Sequence, residues 1–196
     1  MKIIIRVLIL LLVISCNKKS DENNTDYETP EELNKRISEG KPFFDFDEVV
    51  HYEISILDKD LIELSKKDSL SQDDKFLRYL LYMPAPQNQA EKKIFYKTIS
   101  LAPSNKYIIN QKFHASLKSK VFSEKKCKSK EFAMCAPTYR DIFIFKKDGK
   151  EIGIAKICYE CGLCSFSELS SNTECFGMNK EFYELHKITE ENKKLK

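Results

Sequence analysis

The sequence lacks the local signatures that most often mark an enzyme. No G-x-S-x-G elbow, phosphate-binding glycine loop, H-E-x-x-H pair or dinucleotide fingerprint occurs in its 196 residues. Histidine is scarce, with 3 residues (His51, His114, His186) scattered along the chain, so no histidine-based metal motif forms locally. Glycine is also scarce, at 5 residues, against 13 Phe and 9 Tyr. That balance excludes a repetitive or low-complexity chain and indicates an ordered core rich in aromatic rings. The first apolar run falls short of the roughly 20 residues that a membrane-spanning helix needs.

That run is nevertheless informative. MKIIIRVLILLLVISC sets Lys2 and Arg6 around a short apolar stretch, continues from Val7 to Ile14 and ends in Ser15-Cys16. A basic start, an apolar middle and a small residue before a cleavage point make a signal peptide over residues 1–15. Val13-Ile14-Ser15-Cys16 resembles the lipobox of bacterial lipoproteins. The resemblance implies that Cys16 becomes the first residue of the mature chain and carries a diacylglycerol on sulfur and an acyl chain, such as palmitate, on its amine. Each buried methylene contributes about 0.8 kcal/mol to such an anchor. The expected location is therefore the cell envelope, on a bacterial membrane and by this resemblance the outer one.

Without residues 1–15 the chain keeps 181 residues, enough for one domain with a sizeable core. It then carries 31 Lys and Arg against 30 Asp and Glu, a balance that gives no support to nucleic acid as partner. The charges are unevenly placed. From Asn17 to Glu48 there are five basic and ten acidic residues; from Pro86 to Glu131 there are eleven and three. The second block is either a basic face or a solvated helix surface. Residues 16–29 are polar and read as a tether. Within them, Ser20-Asp21-Glu22 resembles the short acidic signals that send some Bacteroidota lipoproteins to the cell surface.

Residues 30–190 read as a single α+β domain, with a helical N-terminal half followed by a small antiparallel sheet. Thr29-Pro30-Glu31-Glu32 supplies a capping hydroxyl, a proline at the first turn and a glutamate three residues after the cap, with Gly40 as a stop, predicting a helix over 30–39. Val50, Tyr52, Ile54 and Ile56 alternate as in a strand. Residues 58–66 and 71–83 read as helices, the second with Ser71 and Asp74 as capping box and Pro84 as its end. Asn88 and Glu91 cap a helix to about Ser100. Ser104 is placed to cap another, in which Ile109, Phe113, Leu117 and Val121 form one stripe. A last helix is expected over 179–187. The central hairpin, about residues 139–158, turns at Asp148-Gly149, a dipeptide suited to a type I′ turn. A two-residue turn predicts Lys147 opposite Lys150, Phe145 opposite Ile152 and Phe143 opposite Ile154. Both faces are then apolar, which makes the hairpin central. CAPTYRDIFIFKKDGKEIGIAKICYEC followed by NTECFGMNKEFYEL resembles a group of uncharacterised Bacteroidota lipoproteins and secreted proteins. That resemblance covers about residues 135–185 and implies a shared module of sheet and cysteines, with no activity attached.

With Cys16 assigned to lipid, Cys127, Cys135, Cys158, Cys161, Cys164 and Cys175 remain. An even number in an exported domain favours disulfides, and fifteen full pairings are possible. Local spacing suggests Cys127 with Cys135, and Cys161 or Cys164 with Cys175. Closing such a loop stabilises by about 3 kcal/mol. A second reading is a zinc or copper site built from Cys158, Cys161 and Cys164, with Cys175, Cys135 or His186 as fourth ligand and Met134-Cys135 suited to copper(I). Iron-sulfur and haem spacings are absent. A third reading takes Cys161-Gly162-Leu163-Cys164 as a thiol-exchange pair. Only 32 residues follow Cys164, too few for a thioredoxin-like fold. Elsewhere, Asp45, Asp47 and Glu48 are a candidate carboxylate group, and Arg140-Asp141 a candidate ion pair whose members point to opposite faces of a strand.

These features predict a lipid-anchored envelope protein, stapled by disulfides and without bound cofactor, that binds a protein or glycan of the envelope and does not catalyse. A metal-binding or thiol-redox lipoprotein built on Cys158, Cys161 and Cys164 is the alternative.

Overall fold

The computed structural model describes residues 29–128, 135–167 and 169–195. Cys16, the signal peptide, residues 16–28 of the tether with Ser20-Asp21-Glu22, and Met134 lie outside the described residues.

Capping chemistry fixes the helix starts. Helix α1 (Pro30–Lys35) opens on the predicted box, in which Thr29 and Glu32 satisfy each other's backbone N–H groups. It ends at Lys35, short of the expected residue 39, because the chain is drawn to buried Glu124: its carboxylate accepts from the Ser38 N–H and its carbonyl from the Gly40 N–H. After β1 (Glu48–Ile54) come α2 (Asp58–Lys66), α3 (Gln72–Tyr82) and α4 (Gln89–Leu101). Helices α3 and α4 start at the Ser71 and Asn88 caps.

The segment from Ser104 departs from expectation. Ser104–Ile108 is an edge strand, β2, running antiparallel to β1 from Ile54 opposite Ser104 to Val50 opposite Ile108. The stripe of Phe113, Leu117 and Val121 is real, but its helical segment starts only after Asn110, whose side chain caps the N–H of Lys112. It runs as a 3₁₀ turn (Gln111–Phe113), one α turn (His114–Ser116) and a π turn (Leu117–Val121), and all three apolar residues are buried. Strands β3 (Asp141–Lys147), β4 (Lys150–Cys158) and β5 (Leu163–Phe166) follow, then α5 (Glu181–Lys193). Helix α5 runs past the expected residue 187 because Asn192, almost fully buried, clamps its last turn to β2: it accepts from the Asn110 N–H and donates to the Ile108 carbonyl.

The five strands form one antiparallel sheet in the order β2-β1-β3-β4-β5, so the hairpin is central as predicted. One face carries Val50, Ile54, Ile142, Ile144 and Ile154 against Leu64, Leu80, Leu81, Phe95 and Ile99 of α2, α3 and α4. The other carries Val49, Phe143, Phe145, Ala155 and Ile157 under Phe44, Phe46, Phe122, Leu185 and Ile188. Helical segments thus cover both faces of an α+β fold.

The hairpin register differs from the simple two-residue prediction. Asp148 and Gly149 take the positive φ angles expected of them, at 50° and 73°, and Lys147 faces Lys150. A bulge then intervenes, so Phe145 faces Gly153 and Phe143 faces Ala155. Ile152 is left over and exposed. The shift sets the one residue without a side chain beneath the ring of Phe44, which stacks on Phe145 with 4.2 Å between centroids.

Two disulfides form, in pairings that local spacing did not suggest: Cys127 with Cys175, and Cys135 with Cys161. Asn34 fixes the first by hydrogen-bonding both the N–H and the carbonyl of Cys127. Cys127 and Cys175 close a small third cluster with Leu33. Distant partners arise because the sheet brings the 158–164 turn beside residue 135, and because the C-terminal loop wraps around Glu124, which also accepts from the Asn172 N–H.

Candidate functional site

The end of the sheet where β1 leaves and β3 enters forms an open pocket of about 560 Å³. Its wall is Glu53 to Leu57 from the end of β1 and the connection to α2, Asp60 from α2, Arg140 and Asp141 at the head of β3, and Glu160 from the turn after β4. Antiparallel pairing holds this rim together: Glu53 lies opposite Asp141, and the Ile54 N–H donates to the Arg140 carbonyl.

Alternation along β3 sends Arg140 and Asp141 to opposite sides, as expected. The Arg140 guanidinium pairs with Asp58 and lies 3.8 Å from Glu160, while its Nε–H is buried without a partner. Asp141 accepts a 2.7 Å hydrogen bond from buried His51, which places the His51 proton on Nε2. The imidazole stacks on Phe143 with centroids 4.5 Å apart. Lys193 of α5 reaches Glu53 at 2.6 Å and Glu190 at 2.8 Å. Burial works against the Lys193 charge, but these two carboxylates outweigh it and hold the ammonium above its ordinary range. Tyr159 is half-buried with its hydroxyl enclosed, and burial first, then Asp141, pushes its phenol well upward.

Around this pocket stand the carboxylates of Glu53, Asp58, Asp60, Asp141 and Glu160 against the cations of Arg140 and Lys193. Acid is in excess. A pocket of this composition suits a cationic group, and its one guanidinium is already engaged by Asp58 and Glu160.

The other predicted residues fall elsewhere. Asp45, Asp47 and Glu48 do not share a site: Asp45 binds Lys118 and Lys147, Asp47 accepts from the Asp148 N–H, and Glu48 pairs with Lys146. The Lys118 and Lys147 hydrogen bonds hold the Asp45 carboxyl below its usual range. The acidic and basic blocks thus meet, through Lys118 with Asp45 and Lys126 with Glu39, and part of the basic block is neutralised internally.

Of the cysteine cluster, Cys161 is bonded to Cys135, while Cys158 and Cys164 are free thiols. Cys158 pairs with Leu163, and Cys164 pairs with Ile157, so the two thiols leave the β4-β5 hairpin on opposite faces. Burial pushes the Cys164 thiol up to about 12. His186 packs on the Tyr159 ring, and no group of three or more His, Cys, Asp and Glu among the described residues is placed to hold a metal ion.

Lys156 is the residue that pattern reading passed over. It is 1 % exposed, donates to the Met83 carbonyl and lies 4.9 Å from the Tyr139 ring centroid. No carboxylate accompanies it among these contacts, and burial lowers its ammonium to about 7. The signal was a single lysine inside the apolar run Ile152-Gly153-Ile154-Ala155-Lys156-Ile157. Of the pocket residues only Arg140 and Asp141 were singled out by sequence, as a candidate ion pair, because the lining comes from four separate segments.

Compared with models of known families, with curated proteins and with solved structures, the chain matches none.

Proposed function

We propose that the protein is a lipid-anchored component of a bacterial cell envelope, held to the outer membrane through Cys16, whose α+β domain binds a partner and does not catalyse. The observation that supports binding is the open pocket at the end of the sheet, lined by Asp60, Asp141, Glu53 and Glu160 beside Arg140. Its excess of carboxylates selects a basic group, and an exposed lysine or arginine side chain of an envelope protein is the partner of that chemistry. The lipobox-like ending at Cys16 supports the location.

Two measurements test this reading. Titration of the full chain in detergent with a Lys/Arg-rich peptide and a Glu-rich peptide should give salt-sensitive binding of the first only. Asp60→Asn with Glu160→Gln should weaken that binding at least tenfold, since two desolvated charge contacts are removed. Binding of an amino-sugar oligomer in place of the peptide would move the partner to a glycan, and absence of binding by any of them would overturn the pocket's role. Separately, a palmitate label should reach the wild-type chain and be lost in Cys16→Ala; equal labelling of both removes the anchor.

A further inference from the structure

We propose that Cys158, Cys161 and Cys135 form a thiol-disulfide relay, in which the buried Cys158 thiol displaces Cys135 from Cys161 and leaves an exposed Cys135 thiol at the surface. This activity goes beyond ligand binding and does not depend on it.

The arrangement is antiparallel and close. Cys158 ends β4, and residues 135–138 run beside the β4-β5 turn: the Thr138 N–H donates to Cys158 Sγ at 3.4 Å, Ala136 O lies 3.6 Å from Cys161 Sγ, and Cys135 is bonded to Cys161. Cys158 stands opposite Leu163, and the turn between them, residues 159–162, is closed by the Gly162 N–H donating to the Tyr159 carbonyl. Cys161 lies inside this turn and Cys158 just before it, and the two sulfurs lie against the same short segment, Cys158 Sγ at the Thr138 N–H and Cys161 Sγ at Ala136 O. Of the two free thiols among the described residues, Cys158 is the one held against residues 136–138, which makes it the attacking group for the Cys135–Cys161 bond.

The site also supplies a proton acceptor and a leaving group. The Cys158 thiol points its S–H at Glu160 Oε2, 3.6 Å away. Transfer to that carboxylate leaves a thiolate that the Thr138 N–H stabilises, and the thiolate attacks Cys161 Sγ. The Cys158–Cys161 bond forms as the Cys135–Cys161 bond breaks. Cys135 leaves as a thiolate, takes a proton from water, and Glu160 returns its proton to solvent. One disulfide replaces another, so the step requires no external oxidant or reductant. Cys135 is exposed and Cys158 buried, so the exchange moves the free thiol from the interior to the surface. Cys164 takes no part, because it projects from the other face of the hairpin.

The test is alkylation of the folded full chain at pH 8.5 without reductant, followed by peptide mass mapping. Label on Cys135 and a linked Cys158–Cys161 peptide should accumulate together, and Cys158→Ser should show neither. An unlabelled Cys135 in the wild type, or one labelled as fast in Cys158→Ser, overturns the relay. Cys135→Ser gives a second arm that holds even where Cys158→Ser fails to fold: air oxidation should yield a Cys158–Cys161 bridge, and alkylation of both residues in its folded state overturns the proposal.

Discussion

Replacing Lys156 by methionine is expected to stabilise the protein below neutral pH and to remove a pH dependence that the wild type shows. An unfolded lysine titrates at its ordinary value of 10.5, and burial lowers Lys156 to about 7 in the folded chain. Between those values the unfolded chain holds one more proton than the folded one. Stability therefore rises with pH across this window and is independent of Lys156 on either side of it. Below pH 7 the folded state carries the whole cost of an ammonium buried beside a carbonyl and an aromatic ring, at about 1.4 kcal/mol per unit, or roughly 5 kcal/mol. Methionine fills similar volume without charge but leaves the Met83 carbonyl without its donor, which costs about 1 to 3 kcal/mol. Urea midpoints should thus favour Lys156→Met by about 2 to 4 kcal/mol at pH 6, and the advantage should vanish by pH 10. Parallel pH profiles for the two proteins would mean that Lys156 keeps its charge in the folded state at little cost.

Lys156 also shows which features were open to reading from sequence. Structure written in neighbouring residues was legible: the Thr29, Ser71 and Asn88 caps, the Asp148-Gly149 turn and the two apolar faces of the hairpin all depend on residues within one turn or one strand pair. Ser104–Ile108 was misread because a serine before a four-residue apolar rhythm suits a helix locally. Pairing with β1 recovers five residues' worth of strand contact, and this tertiary gain overrides the local preference. The cysteine partners were hidden for a related reason. Cys127 and Cys175 are 48 residues apart, and they meet only because the Glu124 carboxylate gathers Ser38 and Asn172 around it. The pocket was less legible still. Asp60 and Glu160 look like ordinary surface charges, Arg140 and Asp141 suggested only a pair with each other, and the fold brings all four to one rim.

Gly153→Ala is expected to cost about 3 kcal/mol or more, because the added methyl group has no space to occupy. A Cβ at residue 153 would stand 1.9 Å from Phe44 Cε1 and 2.4 Å from its Cδ1. The ring cannot swing aside cheaply. Phe44 is 3 % exposed, stacks on Phe145 and tilts against Phe166, and Phe145 in turn meets Phe46 and Phe122. Cores packed this tightly lose about 1 to 3 kcal/mol for an extra methylene, and more where the neighbour is itself held. The bulge leaves a second way out: sliding β4 by one residue would restore Phe145 opposite Ile152. That slip would turn every later side chain of β4 to the other face and bring Lys156 among the aromatic rings. The clash and the slip predict different cycles. If the ring contact sets the cost, Phe44→Ala should destabilise alone by about 3 to 5 kcal/mol, yet Gly153→Ala added to it should cost under about 1 kcal/mol. Urea denaturation of both single variants and the double variant measures that coupling. Additive losses would show that Gly153 is required for the backbone of the bulge itself, with Phe44 merely filling the space above it.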